Sequence, residues 1–317
     1  MKRLSSEAFE RACHFLRTEA RALDRALFEY HFEGGSAQAV EGALAAYRNA
    51  DGGFGRALEP DLRTPSSSAV ATGLALQVLK EIGYPAGHYL VLGAVRYLLD
   101  TFDHEQHVWR IVSHEANDYP HAPWWHDEDG SLARMFDNFL IMPRARLVGL
   151  LYHFSAALPA AGIPSDWLEQ VTERTVVSVE ATQVLGAAGG DDLVFALSLA
   201  QEPALPGRYR RRLLDRLRPA VADAVSRDPA EWADYSLRPL KIVYAPDSPV
   251  AGLIADVIQA ELDYQIEHQT AAGTWDPVWS WGPAYPEAWQ QARHEWRGQV
   301  TLETLTTLRA FGRIEEE

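Results

Sequence analysis

The sequence predicts an all-α protein, a single domain over residues 1–317 built from helices paired into hairpins. Three observations predict it. Apolar residues recur at steps of three and four along most of the chain, the period of one helix face. No segment alternates apolar and polar residues over the length a strand needs. A Gly-aromatic turn between two apolar helical segments occurs twice, as Gln269-x3-Gly273-x-Trp275 and as Arg48-x3-Gly52-x-Phe54. A unit that recurs in this way is the mark of a repeat architecture.

The elements follow in order. Phe9, Ala12, Cys13, Leu16, Ala20, Leu23, Leu27 and Tyr30 share one face of a long first helix, which Gly34-Gly35 stops. Ser36 caps a second helix carrying Val40, Leu44 and Tyr47. The DGGFG turn follows, then ALEPDLRTPSSS, a connection that Pro60 and Pro65 keep out of a helix. A third helix starts near Ser68, carries Val70, Leu74, Val78 and Ile82, and ends near Gly83; a fourth covers roughly 87–102. Residues 103–130 have no helical period but hold Trp109, Trp124 and Trp125, which marks an ordered loop of functional length. Helical patterning resumes at Ser131, Pro143 opens RARLVGLLYHF, Ser165 caps the next helix, and Asp191-Asp192 place negative charge at another helix start. Segments 208–218, 249–268 and 300–311 complete ten or eleven helices, with no linker that would split the chain.

Composition narrows the function. A net charge of −15 repels phosphate backbones and anionic lipid, so nucleic acid and membrane surfaces are excluded as expected partners. No apolar run approaches a spanning helix, and MKRLSSEAFERACHF lacks the apolar core of a signal peptide. The single cysteine, Cys13, rules out an intramolecular disulfide. The expectation is a cytoplasmic protein with a small-molecule substrate. No cofactor is expected, because Walker A, Rossmann, GxSxG, HExxH and DDxxD signatures do not occur. The arginines of 208–218 point several ways around a helix axis and predict a solvated face.

Gln269, Gly273 and Trp275 resemble the QW motif of the squalene cyclase and prenyltransferase repeat family. The front copy departs from it, with Arg48 in the Gln position and Phe54 in the Trp position. The resemblance implies an α/α toroid of five or six helical hairpins, in which the Gln meets helix-end groups and the ring packs across helices. It also implies a terpene-cyclase-like or prenyl-binding enzyme, acting by acid catalysis and without metal on an apolar isoprenoid in an aromatic-lined cavity. In that scheme Asp127 or Asp129 is the acid, its pKa raised by neighbouring indoles, and Trp124, Trp125, Trp279 and Trp281 are cavity walls. His121, His126, Trp296 and Arg297 complete the expected binding set. The Asp127-Glu128-Asp129 run is only loosely similar to the family's Asp-rich acid motif, and DxDD itself does not occur. His121 and His126 with Asp127 or Asp129 are permissible zinc ligands, but their spacing matches no common site and no metal is expected.

Glu59 and Asp61, on the proline-stiffened loop with Arg63, form a second acid/base set, and His294 heads a polar cluster with Glu295, Trp296 and Arg297. With tryptophan platforms for sugar stacking, these residues suit a carbohydrate lyase or hydrolase on the same toroid. A non-catalytic scaffold is the third reading. Polar cavity walls favour the sugar, apolar walls the isoprenoid.

Overall fold

The computed structural model describes residues 1–136, 141–159, 166–187 and 189–315, so the expected cap Ser165 lies outside the described residues. The described chain is mostly helical, with thirteen α-helices. Its one strand ladder among the described residues pairs β1 (Phe102–Asp103) with β2 (Val108–Trp109) inside the long loop. No described helix is long and apolar enough to cross a membrane.

The predicted first helix is two, α1 (Ser6–Thr18) and α2 (Ala22–Phe32). Apolar spacing carries on through Ala20 although the backbone turns there, so periodicity alone does not see the break. Arg21, at the start of α2, commits its guanidinium to Asp24 at 2.8 and 2.9 Å and to the Leu58 carbonyl at 3.2 Å. The serine caps form as the sequence predicts: Ser36 opens α3 (Ala37–Ala45) and Ser68 opens α4 (Ala69–Glu81), each hydroxyl accepting a backbone N–H at 3.2 Å. Next come α5 (Tyr89–Asp100), α6 (Ser131–Met135), α7 (Arg144–His153), α8 (Trp167–Ala181), α9 (Asp191–Gln201), α10 (Gly207–Ala224), α11 (Pro239–Ile242) and α12 (Ala255–Glu267). The arginines of α10 are less solvated than the sequence implies. Arg212 holds Glu173 and Glu180 of α8, and Arg210 and Arg216 donate to loop carbonyls.

The last helix, α13, runs Pro286–Ala310 and starts well before the expected 300. It absorbs the polar cluster 294–297, which the sequence places in the turn before a helix. Those residues carry no apolar period because His294 serves the Glu19 carbonyl, Glu295 meets Arg63 and Arg297 meets Asp276. Gly298 within α13 lets it approach α2: a Cβ there would stand 3.0 Å from the Asp24 carboxylate and 3.3 Å from Ala20.

Neighbouring helices pack in sequence order: α1 on α2, α2 on α3, α4 on α5, α7 on α4, α8 and α9, α10 on α8 and α9, and α11 on α9 and α12. Then α13 returns to pack on α1 and α2, and Leu4 pairs with Ile314.

The two Gly-aromatic turns are built alike. Gly52 (φ +89°) and Gly273 (φ +83°) each press on another helix, Gly52 on the later α5, where a Cβ would come within 2.7 Å of the Gly93 carbonyl, and Gly273 on the earlier α1, where it would come within 2.5 Å of Arg11. Only glycine fits such a left-handed position at such close approach. The Phe54 N–H donates to Thr72 of α4 at 3.0 Å, and the Trp275 N–H donates to Thr301 of α13 at 3.1 Å. Both rings are buried, and the Trp275 indole also donates to the Gln265 carbonyl at 2.8 Å. Gln269 bridges its turn to α1 by donating to the Gly273 carbonyl at 3.0 Å and the Ala8 carbonyl at 2.9 Å. Arg48 packs instead beneath Tyr89 of α5, 5.7 Å from the ring centroid.

Candidate functional site

The site grows from the loop after the front turn. Arg56 and Ala57 are both left-handed (φ 54° and 61°), a conformation that costs residues with a Cβ about 1 kcal/mol or more each and persists only where surroundings enforce it. The long loop supplies that enforcement: Arg63 N–H donates to the Pro120 carbonyl at 3.0 Å and Ala122 N–H to the Asp61 carbonyl at 2.8 Å. This strap turns Glu59 and Asp61 inward, 7 % and 2 % exposed.

Asp61 sits in a cage of indoles. Trp281 Nε1 donates to Oδ1 at 2.7 Å and Trp279 Nε1 to Oδ2 at 3.1 Å. Burial pushes its carboxyl up to about 6, against the opposing pull of Trp281, Trp296, Trp279 and the Arg63 guanidinium. Glu59 is pushed well above the usual carboxylate range, first by burial and then by the like charge of Asp61. Its Oε2 is buried without a hydrogen-bond partner. The indole N–H groups of Trp125 and Trp296 stabilise the charged forms of Glu59 and Asp61, yet neither makes a well-aligned hydrogen bond, since both nitrogens are buried unpaired. An unsatisfied buried carboxylate beside another acid is stable only if the pair holds a proton near neutral pH.

Further aromatic and charged groups continue outward. Trp279 meets Trp296 edge-on at 5.0 Å and Tyr235 at 6.1 Å, and Trp281 lies 5.7 Å from Trp289. Arg63 forks onto Glu295 of α13 at 2.5 and 3.1 Å. The Tyr235 hydroxyl and the Lys241 ammonium both donate to Asp191, at 3.0 and 2.8 Å. Tyr235 and Tyr244 are 47 % and 57 % exposed. Glu303 of α13 is exposed too. Burial nevertheless raises the pKa of all three and lowers Arg146 of α7 to about 10. The surroundings of Asp61 thus combine massed indoles with polar and charged side chains.

The expected acid loop is arranged otherwise. Trp125 turns inward toward Glu59 while the chain after it turns out. Asp127 accepts from Arg110 at 3.1 Å and from the Leu132 N–H at 3.2 Å, at the start of α6. Asp129 and Glu128 are exposed. Neither Asp127 nor Asp129 enters an aromatic pocket, because adjacency to Trp124 and Trp125 in sequence does not place them on the same side of a short 3-10 turn. Trp124 is half-buried against the core. His121 is buried, and its Nδ1–H donates to the Tyr119 carbonyl at 2.6 Å, which leaves Nε2 to accept from His126 Nδ1–H at 3.0 Å. The imidazoles are thus committed to each other, and among the described residues no three His, Cys, Asp or Glu side chains converge as a metal site.

His294 lies away from the acids. Its Nε2–H donates to the Glu19 carbonyl at 2.8 Å, closing the end of α1, and its ring packs edge-on to Phe15 at 5.8 Å. Arg297, with Arg293, is held by Asp276 beside the back turn. A separate cavity of about 670 Å³ beside the front turn includes Asp51, Ser66, Ser67, Tyr97 and Glu115. Two of its acids accept from serine hydroxyls, Asp51 from Ser67 and Glu115 from Ser66.

Sequence reasoning singled out Glu59, Asp61, Trp125, Trp279, Trp281 and Trp296, and the structure brings them together. It missed Arg146, Tyr235, Lys241, Tyr244 and Glu303. The signal for Glu303 was a lone charge in the apolar run TLETL, whereas Arg146 follows Arg144 in PRARL and carried no such signal. No family model, curated protein or solved structure matches this chain.

Proposed function

We propose that this protein is an α/α-toroid enzyme that uses the Asp61–Glu59 pair as a general acid on a hydroxyl-rich, carbohydrate-type substrate. The return of α13 to α1 and α2, with two equivalent Gly-aromatic turns, supports the closed toroid. The caged, partly protonated Asp61 carries the catalytic reading. A carboxyl with pKa about 6 holds a transferable proton near neutral pH and leaves a stable carboxylate, because the two indole N–H groups remain to receive its charge. Asp61, its pKa raised by burial, gives its proton to the leaving oxygen as the glycosidic C–O bond breaks; water then supplies a hydroxyl to the sugar carbon and a proton back to the Asp61–Glu59 pair. Trp279 and Trp296 offer ring faces for a sugar, and Arg63, Glu295, Tyr235 and Glu303 offer hydrogen bonds to hydroxyls. An isoprenoid hydrocarbon would desolvate those groups and meet none of their remaining hydrogen-bonding capacity.

The indoles massed at Asp61 favour a second reading, protonation of an isoprenoid alkene with the rings stabilising the cation. One screen separates the two: neutral and acidic oligosaccharides against polyprenyl alcohols and hydrocarbons, followed by product analysis. Asp61→Asn should lower turnover at least 10²-fold on the true substrate with the fold retained. Retained turnover in both Asp61→Asn and Glu59→Gln sinks the proton-donor assignment, and turnover confined to isoprenoids sinks the carbohydrate reading.

A further inference from the structure

The cavity of about 670 Å³ beside the front turn shares no lining residue with the cage around Asp61. Its volume falls within the roughly 300–1,000 Å³ that small-molecule sites span. Two segments build its wall, Ser66 and Ser67 ahead of α4 and Glu115 on the long loop, and the Val70 N–H ties them by donating to the Ile111 carbonyl at 3.2 Å. Gly53 presses on Tyr97 of α5, where a Cβ would stand 2.7 Å from the ring, and so fixes the phenol on the wall. Three carboxylates line this space, each bonded through one oxygen. Asp51 Oδ1 accepts from the Gly53 N–H and the Ser67 hydroxyl, both at 2.9 Å. Asp103 Oδ1 accepts from the Glu105 and Gln106 N–H groups at 2.9 and 2.8 Å, and Glu115 Oε2 accepts from the Ser66 hydroxyl. Among the described residues the second oxygen of each accepts no hydrogen bond, and none of the three acids enters an ion pair. The one arginine on the wall, Arg110, is held by Asp127 at 3.1 Å, and His114 is the only other basic side chain there. No three of these acids and imidazoles converge as a metal site among the described residues, so the negative charges are spread around the wall.

From this arrangement we infer a second small-molecule site, which takes an organic oligoamine, a ligand carrying two or more ammonium groups. The charge balance selects the cation: three carboxylates on one wall repel each other, and the only arginine among them is already engaged. Their separation selects the spacing. A point cation reaches one of these acids and leaves the others unmatched, whereas ammonium groups set along a chain or on successive rings reach several at once. Each ammonium brings three N–H donors, and the free carboxylate oxygens are acceptors only. The serines prepare the site for this, since Ser67 and Ser66 hold Asp51 and Glu115 by one oxygen and so lower the cost of ordering the other. A neutral saccharide leaves the charges uncompensated, and a phosphate or uronate is repelled. Aliphatic polyamines and glucosamine oligomers share the chemistry required. The site stands whether or not Asp61 is a proton donor, because the two have no residue in common.

The test is calorimetric titration of the full-length protein with spermidine, with the glucosamine trimer, with its N-acetylated neutral counterpart and with calcium chloride. Physiological ionic strength screens the general attraction of a chain whose net charge is −15. The double variant Asp51→Asn with Glu115→Gln is measured beside a control, Asp215→Asn with Asp223→Asn, which removes the same charge from exposed positions of α10. Circular dichroism confirms that each folds. Wild type should bind spermidine or the glucosamine trimer one-to-one and ten-fold or more tighter than the acetylated trimer, and the tighter of the two amines names the source. The cavity variant should weaken that binding ten-fold or more, and the control should hold it within two-fold. Equal weakening in both variants shows diffuse attraction to an acidic surface and overturns the site, as does the failure of both amines to bind. Binding of the acetylated trimer as tightly as the amine overturns the charge assignment. Calcium binding that depends on Asp51 and Glu115, with both amines silent, overturns the oligoamine in favour of a metal ion.

Discussion

Replacing Asp61 by Asn should flatten one limb of the pH dependence of stability. The folded-state pKa of about 6 exceeds the ordinary 3.8 by about two units, and each unit corresponds to about 1.4 kcal/mol. The sign follows from linkage. A carboxyl whose pKa is raised by folding contributes its full stability below the unfolded pKa and loses it as pH rises through the folded one. Wild type should therefore lose about 3 kcal/mol between pH 3 and pH 7.5 that Asp61→Asn does not lose. Asn carries a penalty of its own, since its one oxygen can accept from Trp281 or Trp279 but not from both. That penalty is about 1–3 kcal/mol for a stranded indole N–H and does not vary with pH, so it shifts the profile without tilting it. Glu59 would also relax once its neighbour's charge is gone, and the double variant with Glu59→Gln, silent at both positions, supplies the clean reference. Urea unfolding followed by far-UV circular dichroism at half-unit pH steps measures the difference. Profiles that stay parallel within about 0.5 kcal/mol would refute a buried, caged Asp61, since an exposed carboxyl produces no such tilt.

The other expectations concern the frame. Trp275→Ala should cost about 3–5 kcal/mol by denaturant titration, because the ring is buried and its N–H is bonded to Gln265; an unaltered midpoint would show it to be dispensable. Thr72→Val and Thr301→Val should each cost about 1–2 kcal/mol and by similar amounts, since both hydroxyls accept the N–H of a turn aromatic; a large inequality would break the equivalence of the turns. His294→Ala should cost about 1 kcal/mol, from the Glu19 carbonyl it serves, with turnover unchanged on whatever substrate the screen finds; a turnover loss above ten-fold would return His294 to the chemistry.

What could be read in the chain depended on the distance over which each interaction acts. The Gly-aromatic turns were legible because left-handed glycine and a large ring fall within a few residues. Their threonine partners were not, standing 18 and 26 positions downstream on helices whose approach only the fold defines. The acid loop shows the same division. Pro60, Pro65 and two carboxylates announced a rigid acidic segment, but the indoles that decide its protonation lie 218 and 220 positions away. Local adjacency misled at Asp127 and Asp129, where a 3-10 turn of three residues sends Trp125 inward and the acids out. Periodicity also failed at α13, whose first half meets Arg63, Asp276 and the end of α1 with polar side chains and so has no apolar stripe to detect.

The seam between the two ends sets how this chain can be synthesised and folded. Leu4 pairs with Ile314, α13 lies on α1 and α2, and the buried Arg313 donates to the Lys2 carbonyl across 311 positions. A contact of that separation is among the last to be affordable entropically, so topology makes folding slow. On the ribosome, α1 and α2 emerge before α13 and wait with the apolar surface meant for it uncovered until residues 286–310 have been made. A nascent chain arrested before residue 286 should thus expose that surface and associate with holdase chaperones or with its own kind, whereas release of the last helix lets it seal.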